Sequence, residues 1–410
     1  MDWAVLMTTM KRRYFIKGSG LILGGLIVPR PSLADPCAPD PLKVEGGKSG
    51  SSSFCGEKSS SEAPAWVDSL SSSQWTPLPN TNFLSDVYAP NTGQYGNTGP
   101  QSVFIAWCGA AFVRNFGNSG SMFHWGGGHQ DYYGNEIYSF DLNTLTWTRL
   151  TDPSIATWTS THTDGILPDG RPRVPHSTYD ITSDESRLII SKREINNQGG
   201  NYVWQLGVFD PSDKSWTLYT DSDPIGLKNG DGIVWDSNRG VCWSVAQQPV
   251  GLAKIDPDVG TWTGYTAPSG NYNNRAGCVY VPTKDCLIAF PDGPVFGLDP
   301  GNPTGPRVDL TTSGSGPTYS SGDIGHWSSN LNAIVYYKSR SNTIYTLTAP
   351  SGDWKTGTWT WSLLSLSGTT GTHDGTPGTY GKFQLAEWGG ATVGLLNADT
   401  DGPCQAIRLT

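Results

Sequence analysis

The amino-acid sequence predicts an all-β propeller of six four-stranded blades, its last blade closed by an N-terminal strand around Trp75. Three observations lead there. A phrase made of an apolar strand ending at Asp, a short turn and a Trp-Thr strand recurs along the chain. Each copy follows a hairpin of two apolar strands. The final unit is one strand short, while a Trp-Thr strand stands unassigned upstream.

The phrase is clearest in YSFDLNTLTWTRL, GVFDPSDKSWTLY and AKIDPDVGTWTGY, where Asp141 precedes Trp147, Asp210 precedes Trp216 and Asp256 precedes Trp262 by the same six positions. An Asp at a strand end closes a turn through side-chain-to-backbone hydrogen bonds, and Trp and Thr suit a half-buried outer strand. FGLDPGNPTGPRVDL keeps Asp299 and loses the Trp. IYTLTAPSGDWKTGTWTWSLL keeps the Trp-Thr strand after a longer turn. Such uneven copies are normal in repeat folds.

The preceding hairpins, among them GIVWDSNRGVCWSVAQQ and GCVYVPTKDCLIAFPDG, carry Gly, Asn, Asp or Pro at their centres. Two inner strands, a third ending at Asp and a fourth carrying Trp make one blade. The last unit, GKFQLAEWGGATVGLLNADTDGPCQAIRLT, supplies three strands, and Trp75 to Pro79 supplies the fourth. This closure removes the exposed edges that an open ring would leave. A seventh blade would need a hidden unit between Asn80 and Gln101, where SDVYAPNTGQYGNTGP reads as loop.

The segment FHWGGGHQDYYGNEIYSFDLNTLTWTRL, with its paired glycines, following aromatics and late Trp, resembles the kelch repeat. The resemblance is strong in the first blade, moderate in the next two and in outline only beyond them. It implies a fold and not an activity.

Residues 1–34 read as an export signal: Lys11, Arg12 and Arg13 precede an apolar run from Leu21 to Val28, and Ser32-Leu33-Ala34 suits a signal peptidase. KRRYFIK resembles the bacterial twin-arginine signal, and a start at Met1, Met7 or Met10 leaves it intact. A periplasmic or extracellular location follows, with no stable membrane insertion after cleavage. Residues 35–64 form a Gly/Ser-rich arm, and 65–410 a single propeller domain, expected to be monomeric. Removing the signal takes the formal charge from −9 to −13, an acidic balance that argues against nucleic acid as a partner. Of the seven cysteines, Cys37 and Cys55 flank the flexible stretch and are the pair the sequence favours; at least one cysteine is unpaired in a monomer.

In a propeller of this strand order, the entrances of the inner strands and the turns between second and third strands share one face. That rule puts His129 in such a turn, His176 and His326 near inner-strand entrances, and His162 and His373 in blade-to-blade loops, leaving His124 inside a strand. Each histidine taken singly suits a loop-fixing role equally well. The same face gathers Arg173, Lys192, Arg193, Arg275, Lys338, Arg340 and Lys382, which would make a basic mouth on an acidic protein. Tyr132, Tyr133, Tyr179, Tyr272, Trp327 and Tyr380 lie beside them as flat rings that could stack on sugars. No metal signature is present: there is no HExxH, and DTDG at 399–402 lacks the later ligands of a calcium loop. No cofactor is expected, while a structural calcium or a copper site stays open.

These residues suit a carbohydrate-active enzyme, and their pattern resembles the propeller-fold polysaccharide lyases. That resemblance implies β-elimination on a uronic-acid glycan. Arg275, with His326 or Lys382, would neutralise the substrate carboxylate. His129 or His176 would remove the C5 proton, and Tyr179 would serve as acid or base. Tyr132, Arg173, Arg193, Trp327, Tyr380 and Lys382 would bind the acidic saccharide. Two other classes compete: a non-catalytic glycan- or protein-binding propeller, and an oxidoreductase resembling the kelch-fold copper radical oxidases, with Cys108 as a cross-linking partner. The adjacent Tyr-His pair of that last family is absent.

Overall fold

The computed structural model describes residues 62–90, 98–127, 132–154, 166–173, 177–195, 202–221, 232–245, 250–266, 274–291, 293–371, 378–397 and 399–410. The chain divides into two units, 1–55 and 56–410, and everything described lies in the second. The export signal, most of the arm, Cys37 and Cys55 lie outside the described residues.

A one-turn helix α1 (Ala65–Asp68) leads to β1 (Trp75–Pro77), and α2 (Ser102–Ile105) precedes the first blade. Blade 1 comprises β2 (Gly109–Val113), β3 (Ser121–Trp125), β4 (Tyr138–Asp141) and β5 (Thr146–Arg149). Blade 2 comprises β6 (Ile181–Ser183), β7 (Leu188–Ile195), β8 (Tyr202–Asp210) and β9 (Ser215–Asp221). Blade 3 holds β10 (Ile233–Asp236), β11 (Val241–Ser244), β12 (Val250–Asp256) and β13 (Thr261–Thr266). Blade 4 holds β14 (Asn274–Val281), β15 (Cys286–Pro291), β16 (Phe296–Leu298) and the two-residue β17 (Val308–Asp309). In blade 5, β18 (Thr312–Ser313) runs parallel to the outer edge of β19 (Ile324–Ser328), β20 (Ala333–Tyr337), β21 (Ile344–Thr348) and β22 (Trp359–Leu363). Blade 6 has β23 (Phe383–Trp388), β24 (Ala391–Leu396) and β25 (Gln405–Arg408).

The fourth strand of blade 6 is β1, with Trp75 opposite Ile407 and Pro77 opposite Gln405. The expected closure is therefore present, two residues shorter than Trp75 to Pro79 at the Pro end. Between Asn80 and Gln101 the described residues carry a 3-10 turn, Leu84–Val87, and no strand, so the ring has six blades.

The recurring Asp does what its chemistry dictates. Asp141 Oδ1 accepts from the backbone N–H of Asn143 and Thr144, Asp210 Oδ1 from Ser212, Asp256 Oδ1 from Asp258 and Val259, and Asp299 Oδ1 from Gly301. The outer-strand Trp packs back on the third strand: Trp147 lies 5.0 Å from Phe140, and Trp216 lies 5.1 Å from Phe209. Blade 4, which lost its Trp, fills the space with the Arg307 guanidinium 4.5 Å over Phe296 and with Trp354 of the next blade over Gly297.

Polar staples on the face of the first hairpin turns fix neighbouring blades. Arg187 joins Asp184 to Asp258, Arg239 joins Asp236 to Asp285, and Lys355 meets Asp299. Glu387 of blade 6 accepts from the hydroxyls of Ser328 and Ser329 in blade 5, and its carbonyl accepts from Arg114 of blade 1. These contacts hold the six inner strands around a common centre.

Candidate functional site

Six inner strands, β2, β6, β10, β14, β19 and β23, surround a central channel of about 260 Å³. Space this tight needs small residues where strands meet: a Cβ on Gly381 would come within 2.7 Å of the Ala110 nitrogen. The wall includes Thr178, Thr182, Tyr280, His326, Trp327 and Gln384. Arg114 and Glu185, 3.9 Å apart, stand at the end nearer the first hairpin turns.

His326 sits in the middle of β19, and its Nε2 lies 2.9 Å from the Phe383 carbonyl. The carbonyl can only accept, so Nε2 carries the proton and Nδ1 keeps its lone pair. Burial holds the imidazole low, at about 4, against a smaller upward pull from that hydrogen bond. Gln384 donates both amide protons, to Ala110 O at 2.9 Å and Gly381 O at 2.7 Å, so its Oε1 is left to accept. Thr178 Oγ1 is buried without a partner. Apart from the Arg114–Glu185 pair at its end, the described wall carries no charged side chain; it offers hydrogen-bond acceptors, with Trp327 as a flat apolar surface.

His326, which the sequence places near an inner-strand entrance, and Trp327 beside it line the channel wall. Other expected contacts are closed off. Tyr132 is fully buried and its hydroxyl donates to Glu136 Oε1; Tyr380 is buried against Tyr179. Neither ring offers a face to a sugar. Tyr179 Oη donates to the Asp323 carbonyl at 2.9 Å and accepts from Gly322 N–H at 2.7 Å, which fixes a loop and leaves no proton to exchange with a substrate. Lys382 and Arg173 are buried, and Lys338 is paired at 2.9 Å with the fully buried Asp323. Among the described cations of the expected basic mouth, only Arg340 stands at the surface as a side chain without an ion pair. His129, His162, His176, His373 and Tyr272 lie outside the described residues, and the side chains of Lys192, Arg193 and Arg275 are likewise outside.

Two polar hubs escaped sequence reasoning. Asp323 Oδ2 accepts from Ser320 N–H, Tyr336 Oη and Lys338 Nζ, and its Oδ1 accepts from Ser339 N–H. Glu136 Oε1 accepts from Tyr132 and Tyr138, while its Oε2 is buried without a partner. Burial is the main influence on Glu136 and raises its pKa despite those hydrogen bonds. Both acids sit next to repeat strands without any local signature, and Gln384 likewise looked like an ordinary strand residue.

Among the described residues, no three His, Cys, Asp or Glu side chains come together as metal ligands. Asp399 of DTDG instead closes its own turn, accepting from Asp401 and Gly402 N–H. Cys108 is buried, is in no disulfide and donates to Ser102 O at 3.2 Å; Cys242, Cys278, Cys286 and Cys404 are likewise buried and in no disulfide.

Fold and channel define a six-bladed β-propeller. No family model matches the chain, and no curated protein does. Among solved structures it is similar to the major allergen Mala s 1 of Malassezia sympodialis, at 11% identity and a TM-score of 0.43 over 70% of this chain and 89% of that one. A chain of a nidogen/laminin complex gives 14%, a TM-score of 0.38, and 65% and 87% coverage. A protein of unknown function from Bacteroides thetaiotaomicron gives 10%, 0.46, and 82% and 75%. At these values the likenesses carry no functional argument.

Proposed function

We propose that this chain is an exported, kelch-like, carbohydrate-active propeller that admits a sugar unit of an acidic glycan into its central channel. The observation that carries the reading is the channel wall. Unsatisfied acceptors at His326 Nδ1 and Gln384 Oε1 match the hydroxyl donors of a sugar, and Trp327 supplies a flat surface. The volume lies just below the roughly 300 Å³ at which small-molecule pockets begin, room for one ring.

The chemistry in this reading is β-elimination at a uronate. His129 or His176 removes the C5 proton and Arg275 neutralises the carboxylate, because His326, held low at about 4, is uncharged near neutral pH and Tyr179 is tied on both sides. That same engagement of both described candidates favours a second reading, a propeller that binds glycan without turning it over.

Incubating the mature protein with a panel of uronate polysaccharides separates the two. New ultraviolet absorption from an unsaturated uronate, lost in His129→Ala, His176→Ala or Arg275→Ala, supports elimination. Retention of glycan without product supports binding alone. Neither retention nor product would overturn both.

A further inference from the structure

The charged pair of the described channel wall, Arg114 and Glu185, stands where two first hairpin turns meet. Arg114 follows the last residue of β2, and Glu185 lies in the turn from β6 to β7. Neighbouring turns of that face hold their arginines in tight pairs. Arg187 Nη2 is 2.6 Å from Asp184 and 2.8 Å from Asp258, and Arg239 Nη1 is 2.9 Å from Asp236 and 2.6 Å from Asp285. Neither of those guanidinium groups lines the channel. Arg114 does, and its pair is loose: Nε stands 3.9 Å from Glu185 Oε1, beyond hydrogen-bond reach, with the two side chains 35% and 57% exposed.

The guanidinium is held in place but not satisfied. Nη1 donates to the Glu387 carbonyl at 2.7 Å, tying the arginine to blade 6, and the ring of Phe112, also in the wall, lies 5.9 Å away. Among the described residues nothing accepts a hydrogen bond from Nε or Nη2, so the edge of the fork that can meet a carboxylate with two parallel bonds is open. Other carboxylates of that end are engaged, Asp184 by Arg187 and Glu387 by Ser328, Ser329 and Thr392. Glu185 faces the open edge. Its carbonyl is fixed by Asn115 N–H at 2.8 Å, so only its exposed side chain has to give way to a ligand.

We propose that Arg114 reads the carboxylate of the sugar unit held in the channel, with Glu185 as the internal competitor that the ligand displaces. The inference rests on the channel's receiving a sugar; it adds which end the acid group points to and which residue selects a uronate over its neutral counterpart. Trp327 lines the same cavity one residue from the corresponding end of β19, so the flat surface and the cation share one end of the channel. Five residues of β2 separate Arg114 from Gly109 at the other end, roughly 16 Å of strand. The carboxylate that Arg114 reads therefore belongs to a different unit from the one that loses its C5 proton at the opposite face.

The test titrates galacturonate, glucuronate and mannuronate oligosaccharides, each beside its carboxyl-reduced counterpart, into the protein by calorimetry at low ionic strength. Wild type is expected to bind at least one uronate on the order of tenfold more tightly than its reduced form. Arg114→Gln is expected to lose that preference while binding the reduced form as wild type does, a split that a merely structural role would not produce. Because Arg114 also holds blade 6, Glu185→Gln gives a second arm on an exposed side chain: with the competitor gone, the uronate binds several-fold more tightly and the reduced form as before. A uronate preference that survives Arg114→Gln, or a Glu185→Gln protein no tighter for uronate than wild type, would overturn the proposal. If Trp327→Ala then still weakens both ligands, the channel reading stands without it. No binding of either form would overturn the channel reading and the proposal together.

Discussion

Replacing Trp75 with Ala tests the closure of the ring. Trp75 is buried, its ring makes edge contacts with Tyr337 at 6.1 Å and Phe383 at 6.5 Å, and its Nε1 donates to Asn342 O at 3.2 Å. Truncating a buried Trp costs about 3–5 kcal/mol through lost transfer energy and the cavity left behind. The aromatic pairs and the orphaned Asn342 carbonyl favour the upper half of that range. About 4 kcal/mol is a large part of the total stability of an ordinary domain. Urea unfolding followed by far-ultraviolet circular dichroism should show a lower midpoint at unchanged slope. Thr261→Ala, on the exposed outer strand of blade 3, should stay within about 0.5 kcal/mol. A loss below about 1 kcal/mol for Trp75→Ala would refute the closure, because a strand sealing the last blade cannot be indifferent to its only large side chain.

Two further outcomes follow from the same contacts. Glu387→Ala strips acceptors from Ser328, Ser329 and Thr392 at the seam of blades 5 and 6, and should cost about 2 kcal/mol in urea unfolding, against little for Asp68→Ala at the exposed Arg408 pair. His326 has a folded pKa of about 4, below its ordinary 6.5, so the folded state binds fewer protons between those values. Its stabilising contribution is whole above pH 6.5 and is lost on acidification towards 4, about 2 kcal/mol for a ring partly open to the channel. Stability measured from pH 7 to 4 should fall less steeply in His326→Gln, and an unchanged slope would show that the ring takes up its proton equally in the folded and unfolded chain, against the burial argument.

The blades were legible because a turn-closing Asp and a packed Trp are local devices with fixed spacing. Asp141 to Trp147 is one strand end, one turn and one strand start, and nothing distant is needed to see it. Trp75 could be assigned because a missing strand and an orphan strand had to match. The site was less legible. Chain position predicts which face a residue occupies, yet it does not say whether Tyr132 and Lys382 point into solvent or into the seam between blades. That depends on neighbours hundreds of residues away, as with Gln384, whose amide is spent on Ala110. Glu136 and Asp323 were hidden for the same reason: their hydrogen-bond partners, not their sequence context, make them hubs.

The most direct test of the account is calorimetric titration of uronate oligosaccharides into the wild-type protein and into Trp327→Ala. If the channel receives the sugar, the wild type binds and the variant loses at least about tenfold in affinity, since stripping a flat ring from a sugar contact removes more than 1.4 kcal/mol. Equal affinity in the two proteins would place the ligand elsewhere and contradict the channel as the functional site.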